Sequence, residues 1–305
     1  MEMRIQSMSL TNYLAGNRFS EIKVGQSGAD VYEINNELIL KHIKRRRLED
    51  SQFDTYAREA LYYQSKAGCI CSYLPRIIRL EISDDEIILL MEKYMCPSRS
   101  DIDEQMIRRV TKALASVHSD CVPEFLNRDR KSSSLLSGQQ IEEYTSGWQC
   151  LLGEHPGSFD ETPLKHIAEN INRIIAWHDS EEKVLVHGDF HWDNLLADAY
   201  GNILICDWQS VGLGGASGDL SFFMSRLRSD GIRLDQKLFL QSYADAVREI
   251  AGITVDAQSI AGHIAAANVI TSFIFWHQFL HGAKTERAGE IYEKMTDDFE
   301  KIEID

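Results

Sequence analysis

Three side chains with hard oxygen atoms occur close together in the chain: Asp189, Asn194 five positions on, and Asp207 at 18 positions from Asp189. Oxygen ligands of this kind suit Mg²⁺, which binds through one or two carboxylates plus substrate phosphates and keeps several waters. The amide of Asn194 is neutral, so the total charge stays modest beside a polyphosphate. A carboxylate left free of metal, such as Asp189, can accept a hydroxyl proton. His187, His191 and Asp193 lie in the same stretch. On one strand they would share a face with Asp189, which is the pattern of a His/Asp metallohydrolase.

Such groups need rigid supports. Apolar runs at 184–186 and 203–205 are too short for helices, rich in Val, Ile and Leu, and predict buried strands on either side of a polar loop. Further upstream, Leu38, Ile39, Leu40 and Ile43 predict a strand that contains Lys41. Lysine is rare in such a place. It is either an edge residue reaching water or a buried point charge for an anion.

Residues 22–24 and 31–34 predict a hairpin ahead of that strand, with Gly25, Ser27 and Gly28 in its turn. Glycines there can admit a phosphate to backbone N–H groups, or simply make the turn. Residues 49–67 have helical spacing, with Phe53, Tyr56, Ala57, Ala60 and Leu61 on one face and Glu59 at its margin. A second hairpin follows at 76–82 and 86–91.

The periodicity breaks after Met91, and the domain boundary is placed there: residues 1–93, then 94–305. Beyond it the pattern is helical. Ser100 or Asp101 is placed to cap a helix ending near His118. Residues 120–163 are weakly patterned and read as an insertion with a short helix near 141–152. Further helices are expected at 164–178, from Asp219 onward after a glycine-rich turn, and around 235–250, 257–281 and 285–301.

Composition narrows the function. A hydrophobic share of 44% and a charged share of 26% are those of an ordinary globular protein. The formal charge of −15 argues against nucleic acid or an anionic membrane as partner and favours cations. Six scattered cysteines without CxxC spacing, and a start without an apolar leader, point to a cytoplasmic protein with free thiols. The apolar segment 264–276 is broken by Asn268, Thr271 and Ser272, as in a buried core helix.

His187-Gly-Asp189, with Asn194 five positions after that aspartate, and Ile205-Cys-Asp207 resemble the catalytic segment of the aminoglycoside phosphotransferase and choline kinase family. Hairpin, lysine strand, Glu-bearing helix, second hairpin, hinge and helical region also come in that family's order. The resemblance implies an α+β, two-lobed protein-kinase-like fold, with a small antiparallel-sheet lobe and a mainly helical lobe. It implies ATP and Mg²⁺ as cofactors.

By the same resemblance Asp189 is the catalytic base, and Asn194 and Asp207 hold the metal. Lys41 contacts phosphates and pairs with Glu59, and Gly25, Ser27 and Gly28 lie over the phosphates. Glu92 and Tyr94 read adenine with their backbone, with Met91 beside it. His187 and Asp219 support the loop. The ordered set Lys41, Glu59, Asn194 and Asp207 favours this reading over a metallohydrolase. Filled catalytic positions favour it over a kinase-like binding protein without catalysis.

The sequence departs from related kinases where Trp208-Gln209 follows Asp207, and only 12 positions separate Asp207 from Asp219. That leaves no room for a long peptide-binding segment, so the acceptor is expected to be a small molecule with a hydroxyl. The acidic charge suits a polycationic aminoglycoside, with Glu142, Glu143, Asp160, Glu161, Asp230 and Glu286 as candidate contacts. Choline or ethanolamine is the alternative, with Trp192, Trp208 and Trp276 as candidate aromatic faces.

Overall fold

The structure is a computed structural model that describes residues 17–22, 28–128 and 135–302. The chain forms two compact units. The first takes in the chain up to Ala113 and the segment His191–Val211; the second takes in Leu114–Phe190 and everything from Gly212 onward.

The first unit is built on a five-stranded antiparallel sheet. Its strands are β1 (Phe19–Glu21), β2 (Asp30–Ile34), β3 (Leu38–Lys44), β4 (Ile77–Ile82) and β5 (Glu86–Glu92), in the order β1-β2-β3-β5-β4. Alternation along the strands gives the sheet two apolar faces. Ile43 and Ile87 pack with Phe53, Tyr56 and Ala60 of helix α1 (Asp50–Ser65). Ile34, Leu40, Ile88 and Leu90 form a separate cluster. Lys41 is two residues from Ile43, so the strand period turns it to the α1 face.

A small hairpin, β7 (Leu195–Ala197) and β8 (Ile203–Ile205), completes this unit. It is tied in by the Ile205 N–H bond to the Tyr73 carbonyl and by a bridge between Ala197 and Met95. Trp208, fully buried, packs on Tyr62 at 4.4 Å between ring centres and on Tyr73 at 5.8 Å.

Helix α2 (Glu104–His118) begins in the first unit and ends in the second. Its cap is Asp103, whose carboxylate accepts the Met106 N–H, rather than Ser100 or Asp101. Asp103 is the residue that stands three positions ahead of an otherwise unpaired helix donor.

The second unit is mainly helical. Its helices are α3 (Gly138–Gly153), α4 (Thr162–Asp179), α5 (Ala216–Ser229), α6 (Gln236–Ala251), α7 (Ala257–Thr271) and α8 (Thr285–Phe299). The short helix expected near 141–152 in the weakly patterned insertion is a helix of 16 residues, and its Trp148, Leu151 and Leu152 are core residues. They pack with Ile167, Ile171, Val269, Phe273, Tyr292 and Met295. Helix α7 runs on through a π turn at Ser272–Trp276 to Phe279, and the Phe273 carbonyl accepts the Trp148 indole N–H. Ala257–Phe279 is long and apolar enough to cross a membrane, but half of its most apolar window is buried within the protein, as in a core helix.

The glycine-rich segment expected to be a turn contains a strand, β9 (Gly212–Gly215), antiparallel to β6 (Lys183–Val186). Strand β6 leads directly into His187-Gly188-Asp189.

Candidate active site

In the first unit the side chains of Lys41, Glu59 and Asp207 meet. Lys41 Nζ lies 2.8 Å from Glu59 Oε2 and 3.0 Å from Asp207 Oδ1. Glu59 is buried on α1, and the Tyr56 ring lies beneath the ammonium, 5.0 Å from its centre. Burial alone would lower the Lys41 pKa. The Glu59 and Asp207 carboxylates outweigh it and hold the pKa above its ordinary value, so Lys41 is charged. This is a fixed positive charge inside an apolar strand, paired on one side by a buried carboxylate.

The β7–β8 hairpin brings Asn194 near Asp207. Leu195 pairs with Ile205, and the Cys206 N–H donates to the Asn194 carbonyl at 3.0 Å, one residue short of Asp207. Asn194 is buried, while the Asp207 side chain is 39% exposed. Asp207 has a φ of 66°, a left-handed conformation unusual for a non-glycine residue. Trp208 holds it there: its indole is buried and its N–H donates to the Ile205 carbonyl.

Gln209 Nε2 also donates to Asp207 Oδ1, at 2.5 Å, a contact that sequence reasoning missed although the departure at Trp208-Gln209 pointed to the place. The Cys206 thiol is pushed up to about 12 by burial and by the neighbouring Asp207 charge, so it stays protonated. A neutral amide oxygen and a carboxylate at one end of a hairpin form a hard donor set that fits Mg²⁺ and does not fit a soft metal.

In the second unit, Asp219 organises the turn that carries Asp189. Its Oδ2 accepts the His187 N–H at 2.7 Å and its Oδ1 accepts the Gly188 N–H at 2.9 Å. Gly188 has a φ of 80°, which an L side chain would resist. The Asp189 N–H turns back to His187 Nδ1 at 3.2 Å. Behind Asp219 stands His118, with Nε2 at 3.3 Å from Oδ2 and Nδ1 at 2.8 Å from the Tyr243 hydroxyl. Burial would raise the Asp219 pKa. The His118 bond and the His118 and His187 charges outweigh it, so the carboxyl sits below its ordinary value. Nothing in the sequence marked His118 or Tyr243, which are distant from Asp219 along the chain.

The expected adenine-reading segment lies at the end of β5. Met91 is buried; the Glu92 carboxylate accepts from the Arg76 guanidinium at 2.7 Å and from the Tyr94 hydroxyl at 3.0 Å. The Glu92 N–H goes to the Arg76 carbonyl and the Lys93 N–H to the Glu37 carbonyl, which fixes the strand end. Gly28 is exposed, with a φ of 68°; Gly25 and Ser27 lie outside the described residues. Trp192 and Trp208 are buried, and the Trp192 indole N–H donates to the Pro97 carbonyl, so neither presents an open aromatic face. Trp276 is partly buried and packs against the helical core. Asp160 is committed to the start of α4, accepting from the Thr162 N–H and hydroxyl.

Residues 19–253 match the family described as "Phosphotransferase enzyme family". No curated protein sequence matches the chain. Among solved structures, the ADP-bound aminoglycoside phosphotransferase APH(2'')-Ib superposes with a TM-score of 0.57 and 16% identity, over 95% of this chain and 97% of that one. An ethanolamine kinase of Plasmodium vivax gives 0.54 and 14%, over 96% and 84%. The GDP and kanamycin complex of APH(2'')-IIIa gives 0.54 and 12%, over 93% of each chain. At these identities the likeness is one of fold.

Proposed function

Because the chain belongs to the phosphotransferase enzyme family, we propose that it moves the γ-phosphate of ATP to a hydroxyl of a small cationic molecule, with an aminoglycoside as first candidate. The observation that carries this reading is the Lys41–Glu59–Asp207 cluster, a charged lysine built into a strand and anchored by a buried carboxylate. Such a group serves an anion, and in this family the anion is a nucleotide's phosphates.

The roles are those that the family resemblance assigns to these positions, and their chemistry suits them. Lys41 contacts the α- and β-phosphates while Glu59 holds its ammonium in place. Asn194 and Asp207 would hold Mg²⁺, which when bound would supply charge neutralisation at the phosphate oxygens. Asp189 accepts the proton of the acceptor hydroxyl or orients it in line. His187 and Asp219 keep the Asp189 turn in one conformation. The backbone of Glu92 and Tyr94 reads adenine beside Met91, and Gly25, Ser27 and Gly28 cover the phosphates.

Burial of Trp192 and Trp208 removes two of the three aromatic faces that a single-cation acceptor such as choline could use. Exposed carboxylates at Glu142, Glu143, Glu161 and Glu286 remain for a polycation. A resistance role and a cytoplasmic setting, where ATP is at hand, belong to the same proposal.

The test is coupled ADP release with Mg-ATP across aminoglycosides, choline, ethanolamine and small hydroxy metabolites. Turnover with an aminoglycoside, and raised tolerance of a susceptible bacterium expressing the protein, is the expected result. Turnover with choline or ethanolamine alone overturns the acceptor assignment. Nucleotide binding without turnover on any acceptor overturns the enzyme in favour of a binding protein.

A further inference from the structure

Away from these residues, the second unit holds an unassigned cluster at the end of α4. One donor atom each from His178, Glu181 and His263 lie within 4.8 Å of one another. His263 is only 8% exposed, and among the described residues the buried Nδ1 atoms of both His178 and His263 have no hydrogen-bond partner. Two orphaned imidazole nitrogens beside a carboxylate are costly unless something pairs with them.

The surroundings are built around the three side chains. The His263 ring lies flat on Trp177, at 4.0 Å between centres and 10° between planes. Gly262 makes that stack possible, because a Cβ there would meet the Trp177 ring at 2.7 Å. Glu181 is oriented by Ser217, whose N–H donates to Oε1 at 2.9 Å and whose hydroxyl donates to Oε2 at 2.5 Å. Gly215 leaves room for this carboxylate, since a Cβ there would collide with it. Hydrogen-bonded support behind a carboxylate is what fixes a metal ligand.

We infer that His178, Glu181 and His263 form a binding site for a divalent transition metal of the zinc class. Two imidazoles and one carboxylate are the donor types that Zn²⁺ and its neighbours take, and they are not the all-oxygen set of Mg²⁺. Bonds of about 2.0–2.2 Å place tetrahedral donors roughly 3.4 Å apart, and the present donors lie within 4.8 Å of one another, so a small inward movement of His178 toward the fixed Glu181 closes the set. With three protein ligands, a water completes the shell. Bound there, the ion would clamp the end of α4 and the turn leading into β6 to α7. It is separate in chemistry from the Mg²⁺ assigned to Asn194 and Asp207.

A second trio, Cys150, Glu154 and His281, lies at the surface, and Glu154 already accepts from His281 and from the Gly282 N–H. It supplies the control. The full chain, stripped with chelator, is titrated with Co²⁺ and then with Zn²⁺, with visible absorption and melting temperature as readouts. The expected result is one Co²⁺ per chain, without a thiolate charge-transfer band, displaced by Zn²⁺ and accompanied by a rise in melting temperature of several degrees. His178→Gln and His263→Gln should each weaken binding at least 10-fold, while Cys150→Ser leaves it unchanged. Long-range ¹H–¹⁵N spectra of the wild-type histidines need no variant, and two Nδ1 signals should move to metal-bound positions on adding Zn²⁺. Absence of micromolar binding, loss of binding in Cys150→Ser, or no movement of two histidine Nδ1 signals overturns the proposal.

Discussion

In the proposed reaction Asp189 and Lys41 divide the work differently between function and stability. Asp189 is half-buried at the surface of its turn, and its side chain is not part of a core. Replacing it by Asn keeps size and shape, so Asp189→Asn should cut turnover by roughly 10² or more while leaving the melting temperature near that of the wild type. Steady-state kinetics beside a thermal melt check both halves, and near-normal turnover would remove Asp189 from the mechanism.

Lys41 is structural as well. Lys41→Met strands the buried Glu59 without its cation and should cost about 3–5 kcal/mol in urea unfolding. The double variant Lys41→Met, Glu59→Leu replaces the buried pair with apolar groups and should recover much of that loss. Its activity should stay as low as that of the single variant. Recovered turnover would show that the lysine's charge is not what the reaction needs.

Between elements, contacts depend on small residues as much as on large ones. Gly147 sits on α3 with the His277 ring so close that a Cβ would overlap it. Gly147→Ala should therefore destabilise by about 1–3 kcal/mol through overpacking, despite alanine's better helix propensity. Equal or higher stability by urea titration would show that His277 moves aside freely.

The same scale explains what could be read from the chain. The strands around Lys41 were legible because alternation leaves Ile43 and Leu40 on opposite faces, and α1 because Phe53, Tyr56 and Ala60 repeat at helical spacing. Strand β9 was not, since Gly212-Leu-Gly-Gly215 has a single apolar side chain and pairs with β6 through backbone alone. Helix α3 was underestimated because Gly147, partly buried against His277, stands where a core helix normally shows bulk. The geometry around Asp219 was legible only in part. A downstream aspartate could be picked out by family order, but His118 reaches it across 101 positions, and Tyr243 reaches His118 across 125, through tertiary packing, which local pattern does not encode.

For the molecule as a whole, the thiols give a direct check on which surfaces are covered. All six cysteines are free; Cys69, Cys96, Cys121 and Cys150 are exposed, and Cys206 lies half-buried with its thiol pushed up to about 12. A thiol reagent at neutral pH should modify the four exposed residues quickly in the native protein and reach Cys206 only on unfolding, as read by mass spectrometry of peptides. Fast native labelling of Cys206 would mean that the β7–β8 hairpin opens readily.

That hairpin has another consequence, for the order in which the chain is made. The sheet of the first unit is encoded by residue 92, yet the segment that finishes the unit, His191–Val211, comes after a long stretch of the second. Tyr62 and Tyr73 therefore leave the ribosome well before Trp208, the ring that covers them. While residues 74–207 are being made, the nascent first unit carries Tyr62 and Tyr73 without the ring that covers them. It can close only when a strand pair from far downstream arrives, so this unit, though its sheet is encoded first, must wait through the synthesis of Leu114–Phe190 and depends on protection from aggregation meanwhile.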